Sequence, residues 1–281
     1  MSDKKPGPLT VRGALELGTG FLESRGSPSG RLDAEVLVAH AIGAVRLDLY
    51  TDPDRPLTPT ERNTARDHLR RRGEREPVAY ITGVRAFRGM DLHVTPDVLV
   101  PRPETEGLVE WAREAAPKEG RVLDYGTGSG AIALSLANER NGLEIVAVDV
   151  SPVALDIARE NGAGTEVDFR ESDGFAGLEG ELFDVIVANP PYLSEADLES
   201  APPELAFEPR GALVAGPKGT EAIDRLIAEA PAHMAPGALL AIEVGQGQST
   251  HAAAALKAGG YESVEIRKDL AGIERLVGAR R

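Results

Sequence analysis

Residues 123–137, LDYGTGSGAIALSLA, decide the fold of this 281-residue chain. A strand predicted over 121–125 runs directly into a turn holding Gly126, Thr127, Gly128, Ser129 and Gly130, and the turn opens into a helix over 130–139. Glycine has no Cβ, so such a turn can adopt positive φ and let a ligand come close to the backbone. Strand, glycine turn and helix in that order form the first unit of a doubly wound α/β sheet, with a nucleotide-like cofactor as the natural occupant of the turn. The spacing is not specific by itself, because Gly126, Gly128 and Ala131 also satisfy the permissive G-x-G-x-x-A dinucleotide fingerprint.

Downstream the alternation continues. Strands are predicted at 144–149, 166–170, 183–188, 238–244, 262–268 and 274–279, with helices at 152–161, 219–232 and 248–258. Their continuous Val/Ile/Leu runs indicate a mostly parallel sheet covered on both faces. Upstream, through residue 76, the pattern is helical. TVRGALELGTGFLESRG and SGRLDAEVLVAHAIG place apolar residues three and four apart, and TPTERNTARDHLRRRGERE is a polar helix capped by Thr58 or Thr60. Between these regions residues 77–100 alternate with period two around a glycine-rich turn and read as a β-hairpin linker. PRPETEGLVEWAREAA then contributes a helix. The expected organisation is a helical domain at 1–76, a hairpin at 77–100 and the sheet domain at 101–281.

Composition narrows the chemistry. The chain has no cysteine, which excludes disulfides, thiolate nucleophiles and zinc–thiolate sites. Its five histidines are scattered, so no metal site is expected. No apolar run approaches the roughly 20 residues of a membrane span, and MSDKKPGPLT lacks an apolar signal core, so the expected location is the cytoplasm. The net charge of -14 is uneven: residues 1–76 hold 13 Lys/Arg against 12 Asp/Glu, and residues 77–281 hold 18 against 33. An acidic sheet domain disfavours broad contact with a phosphate backbone, so no nucleic-acid substrate is expected. Arg70-Arg71-Arg72 is the one basic run; it reads as a solvated helix face or a partner contact.

The strand ends supply candidate site residues. EIVAVDVS ends in Asp149, nineteen residues after Gly130, where a carboxylate can accept hydrogen bonds from ribose hydroxyls. Capping the next helix is the competing role, but Ser151 before Pro152 fills it and leaves Asp149 for a ligand. In ESDGF, Asp173 stands where an adenine amino group can donate to it, although an ordinary loop aspartate fits the sequence as well. No Lys or Arg lies in the glycine turn and the Walker pattern is absent, so a cofactor without phosphates, such as S-adenosylmethionine, suits this loop.

The fourth strand, in FDVIVANPPYLS at 183–194, ends in Asn189-Pro190-Pro191-Tyr192 beside the glycine turn. The prolines fix φ and remove two donors, leaving carbonyl acceptors without competing N–H groups. Such a terminus suits a planar amino group: the Asn189 side-chain oxygen and the Pro190 carbonyl accept its two hydrogens, Pro191 and Tyr192 complete the pocket, and Tyr192 stacks on the flat acceptor. The expected chemistry is in-line displacement on a sulfonium methyl, driven by orientation and without a strong base.

REPVAYITGVRAF, VTPDVLVPRPETEGLVE, LDYGTGSGAIALSLA, VIVANPPYLS, FEPRGALVAGPKG and KDLAGIERLV together resemble the peptide chain release factor glutamine methyltransferases, the HemK/PrmC family. The resemblance covers nearly the whole chain. It implies a Rossmann-like seven-stranded class I methyltransferase domain after a small helical domain and a hairpin. It also implies S-adenosylmethionine as cofactor and, as acceptor, the glutamine of the Gly-Gly-Gln motif in class 1 release factors. By position, Gly126 through Gly130, Asp149, Asp173, Gly174 and Asn189 would hold the cofactor, Asn189 through Tyr192 the glutamine, and Arg102, Pro103 and Glu104 the loop beside the cofactor. Tyr125 replaces a usual aliphatic residue, and Gly174 a frequent bulky one near adenine. Two readings stay open beside this one: methylation of a ribosomal-protein glutamine, and methylation of adenine amino groups.

Overall fold

The computed structural model describes residues 9–281, which divide into two compact units, one ending at Gly83 and one beginning at Val84. The first is helical: α1 (Val11–Ser24), α2 (Gly30–Ala41), α3 (Asp48–Thr51), α4 (Pro59–Gly73) and α5 (Val78–Thr82). Thr10 caps α1 by accepting the Gly13 N–H, and Thr58, not Thr60, caps α4 in a capping box with Glu61. Apolar faces meet in a core of Val11, Leu15, Val38, Leu49, Leu57 and Ala65. Two buried acids on α2 organise the polar contacts. Asp33 takes the buried Arg72 guanidinium at 2.7 Å and the Ser27 hydroxyl at 2.8 Å. Burial pushes the Glu35 carboxyl up, but hydrogen bonds from Tyr50, Arg46 and Arg31 hold it at about 2. Arg70 pairs with Asp67 and Glu74, and Arg71 with Glu76, so the basic run is spent on intramolecular ion pairs.

Residues 78–82 correct the predicted hairpin. VAYIT is helix, with Ala79, Tyr80 and Ile81 buried in succession, and it ends at Gly83 in the left-handed conformation. Five residues are too few for alternation to separate helix from strand. The hairpin proper is β1 (Val84–Phe87) against β2 (Met90–His93), turning through Arg88 and Gly89, both at positive φ.

The second unit continues with α6 (Glu106–Ala115), β3 (Arg121–Tyr125), α7 (Ala131–Glu139), β4 (Glu144–Asp149), α8 (Pro152–Asn161), β5 (Asp168–Glu171) and β6 (Phe183–Ala188). Then come α9 (Glu195–Glu199), α10 (Arg210–Leu213), α11 (Glu221–Glu229), β7 (Met234–Glu243), α12 (Ser249–Ala258), β8 (Glu262–Lys268) and β9 (Glu274–Arg280). Seven strands form one sheet in the order β5-β4-β3-β6-β7-β9-β8, parallel except for β9. Alternate residues of β3 serve opposite faces. Leu123 joins a core with Phe175, Ile223 and Leu226, and Val122 joins another with Trp111, Ile132 and Leu136. Strand β5 is displaced from 166–170 to 168–171. Strand β7 begins at Met234 rather than 238, because its pairing with β6 shifts register between Phe183, which meets Met234, and Val185, which meets Leu239. Among the described residues no helix is long and apolar enough to cross a membrane.

Chain order reverses where β3 sits between β4 and β6. Loops leaving the carboxyl ends of these strands part in opposite directions at such a switch point, and a crevice opens between them.

Candidate active site

That crevice is a cavity of about 630 Å3, walled by the glycine turn, Asp149, Asp173, Asn189, Pro190, Pro191 and residues of the 97–105 and 209–215 loops. In the turn Gly126, Gly128 and Gly130 have φ of 75, 55 and 86°. A Cβ on Gly126 or Gly128 would meet no atom within 4 Å, so glycine is demanded there by φ, and the free space is the cavity. Below the turn lies Asp124, fully buried, accepting the Thr127 hydroxyl at 2.7 Å and the Ala133 N–H at 3.1 Å. Burial pushes its carboxyl up to about 6, against those two hydrogen bonds. Asn161 ties the turn to the hairpin, donating to the Ser129 and His93 carbonyls and accepting the His93 N–H.

Asp149 lies on the cavity wall as expected, but it is not free. Its Oδ2 accepts the Gly128 N–H and its Oδ1 the Ser151 N–H, each at 2.9 Å. Each oxygen retains a lone pair for a ligand. Ser151 caps α8 through the Ala154 N–H, as the sequence indicated.

At the adenine end of the predicted site the arrangement differs from expectation. The Asp173 carboxylate is exposed and bound by Arg225 at 2.7 Å. Gly174 has φ of 64°, and a Cβ there would stand 2.8 Å from the Tyr125 hydroxyl oxygen and 3.1 Å from Arg225 Nη2. The two departures noted in the sequence are therefore one: Tyr125, packed on Phe175, occupies the space beside Gly174. Tyr125 and Arg225 both line the cavity and carry no local motif that would announce them.

Asn189, Pro190 and Pro191 line the cavity, whereas Tyr192 packs against the sheet core. Burial raises the Tyr192 phenol pKa, and its carbonyl accepts Gln248 Nε2 at 2.9 Å. Asn189 Nδ2 donates to Thr105 Oγ1 at 3.2 Å, leaving Asn189 Oδ1 buried without a partner. A short 3-10 turn, Pro103–Thr105, delivers Thr105 to this point. Its loop is pinned by Glu208, which accepts the Val100 N–H at 3.2 Å and pairs with Arg102. That explains the acid in FEPRG, which sequence reading left without a role. Glu243, 2% exposed at the end of β7, was likewise missed, although one acid inside the apolar run ALLAIEV is a legible signal.

A phosphate-free cradle beside an unpartnered buried amide oxygen at the switch point is the arrangement to compare with known proteins. The family described as "PrmC N-terminal domain" matches residues 13–83, and "Methyltransferase small domain" matches 104–204. A "Release factor glutamine methyltransferase" of Burkholderia pseudomallei is 43% identical, covering 100% of this chain and 99% of its own. The chain belongs to the release factor glutamine methyltransferase family. A relative of the same description from Rhodopirellula baltica is also 43% identical, with 96% of each chain covered. A methyltransferase structure from Pyrococcus furiosus, 21% identical, covers 68% of this chain and 89% of its own at a TM-score of 0.52, which supports the fold. The enzyme is thus a methyltransferase of class I architecture with a PrmC-type helical unit.

Proposed function

We propose that the enzyme transfers a methyl group from S-adenosylmethionine to the side-chain amide nitrogen of the Gly-Gly-Gln glutamine in class 1 peptide chain release factors. The observation that carries this reading is Asn189 Oδ1, a buried acceptor without a partner on the cavity wall. A buried acceptor left unmade costs on the order of 1 to 3 kcal/mol, so its retention calls for a donor that arrives with the substrate.

The residues fit the cofactor. Open space lies beside Gly126 and Gly128, and no cation in the turn asks for a phosphate. Arg225 and Arg102, the cations on the wall, are neutralised by Asp173 with Glu229 and by Glu208. In this reading the turn 126–130 and Asp149 hold the nucleoside, and Asp173, Gly174 and Tyr125 bound its adenine. When bound, S-adenosylmethionine supplies an electrophilic methyl.

The chain's own contribution is orientation. Asn189 Oδ1 and the Pro190 carbonyl accept both hydrogens of the glutamine amide and hold its lone pair toward the cofactor side. Pro191 offers no competing N–H, and Tyr192 fixes the backbone through Gln248. No general base is needed, since the nitrogen becomes strongly acidic once alkylated. The helical unit, with Leu17, Val45 and Leu47 exposed, recognises the protein substrate. Such a role places the enzyme in the cytoplasm, where translation proceeds.

Methyl incorporation measured side by side on release factor, ribosomal protein and DNA tests the reading. Label on release factor is expected, and label confined to either alternative overturns it. Asp149→Ala is expected to weaken S-adenosylmethionine by on the order of 1 to 3 kcal/mol in calorimetric titration, because ribose hydroxyls and the Gly128 N–H both lose their acceptor. An unchanged affinity removes Asp149 from the cofactor site. A chain beginning at Val84 is expected to need about tenfold more release factor for half-saturation, with cofactor affinity within about twofold. Equal kinetics would deny the helical unit its role.

A further inference from the structure

Tyr125 is the last residue of β3, and the glycine turn begins at the next position. It shares a strand face with Leu123, packs against that core and also lines the cavity. Behind its ring stands Phe175, with centroids 5.1 Å apart at 48°, and behind Phe175 the stacked ring of His233 at 4.6 Å. Phe175 is 5% exposed, so on the core side the phenol meets close-packed atoms.

Beside the phenol lies Gly174, buried and at φ of 64°. A Cβ there would stand 2.8 Å from the Tyr125 hydroxyl oxygen, 3.1 Å from Arg225 Nη2 and 3.4 Å from Glu229 Oε2. The loop is held where it is: Ser172 Oγ donates to the Gly174 carbonyl at 2.8 Å, and Arg225 donates to Asp173 Oδ1 at 2.7 Å and to the Asp173 carbonyl at 3.4 Å. Positions 125 and 174 therefore share one volume, and in this chain Tyr125 fills it. Arg225 also takes one of the two Asp173 carboxylate oxygens, so volume carries more of the discrimination at this end than hydrogen bonding does.

We infer that Tyr125 is a specificity-determining residue: by filling the volume that Gly174 leaves open, it ends the nucleoside pocket and confines the cofactor to an adenine with an unsubstituted 6-amino group. The inference rests on the reading given above, in which Asp173, Gly174 and Tyr125 bound the adenine. Two consequences follow from the shared volume. Removing the ring lengthens the pocket, and a side chain at 174 drives the ring the one way left open, into the cavity.

Calorimetric titration of the full chain with S-adenosylmethionine and with its N6-benzyl derivative tests this. Wild type should bind the derivative about 30-fold or more weaker than S-adenosylmethionine, the scale on which a filled pocket rejects added bulk. Tyr125→Ala should bring the two ligands within about threefold of each other, because the clash is gone. Tyr125→Leu keeps apolar cover over Phe175 and should narrow the gap to about tenfold or less; it decides if circular dichroism shows Tyr125→Ala unfolded. Gly174→Asn approaches from the other side, and since asparagine tolerates positive φ its cost reports volume. Alone it should weaken S-adenosylmethionine about tenfold or more, and combined with Tyr125→Leu about threefold or less, a coupling expected of residues that share a space. Equal affinity of wild type for both ligands, discrimination surviving in both Tyr125 variants, or additive costs at 125 and 174 overturn the inference. Asp149→Ala, titrated in parallel, separates the two levels. If it weakens S-adenosylmethionine while the variants at 125 and 174 change nothing, the role of Tyr125 alone falls. If no variant alters binding, the reading of the cofactor site falls with it.

Discussion

Asn189→Ala is expected to lower kcat/KM by about 10²-fold or more while S-adenosylmethionine still binds, the loss usual when a preorganised polar contact is removed from a reacting centre. The expectation follows from the wall of the cavity. Asn189 Oδ1 has no protein partner to forfeit, so the substitution costs the fold one hydrogen bond, from Nδ2 to Thr105, and removes the acceptor that the substrate meets. Asn189→Asp is the sharper variant. It keeps an acceptor oxygen but offers Thr105 an oxygen where Nδ2 had donated. Charge placed beside a cationic methyl donor also favours the reactant over a transition state whose charge is dispersing. A folded, cofactor-binding enzyme impaired mainly in kcat is the expected outcome. Steady-state kinetics beside calorimetry check it, and wild-type turnover in Asn189→Ala would remove the tetrapeptide from the chemistry.

The second large effect lies on the substrate. Replacing the Gly-Gly-Gln glutamine of a release factor by asparagine shortens the side chain by one methylene and withdraws the nitrogen by about 1.5 Å. Misplacement of about 1 Å at a reacting centre costs on the order of 10²-fold, so methyl incorporation should nearly vanish. Peptide mass spectrometry of the treated factor reads this directly. Undiminished methylation of the asparagine protein would mean that another residue is the acceptor.

Neighbouring observations on the chain differ in how they could have been foreseen. Thr58 and Thr60 compete for one helix start in the sequence, and the capping box with Glu61 decides for Thr58. VAYIT alternates like a strand, yet Gly83 closes it as helix because three consecutive side chains are buried. Arg70-Arg71-Arg72 has the composition of a contact patch, and paired acids consume it. In each case the local pattern was ambiguous and the answer came from which side chains were covered.

What the sequence by itself determined is what the backbone dictates over short range. Glycines at 126, 128 and 130 were needed for positive φ, prolines at 190 and 191 removed donors, and unbroken apolar runs required a sheet buried on both faces. These constraints act within a few residues of chain, so spacing alone exposes them. Tertiary structure alone decided the pairings: Thr105 with Asn189 across 84 residues, Glu208 with Val100 across 108, and Tyr125 in the space left by Gly174. The physical reason is that a proton or a volume is given to one partner only, and which buried donor meets which acceptor is fixed by the folding of distant segments onto one another. Asp149 shows both levels in one residue. Its place at the end of β4 was legible, and its grip on the Gly128 N–H was not, because that bond exists only once β3 and β4 lie side by side.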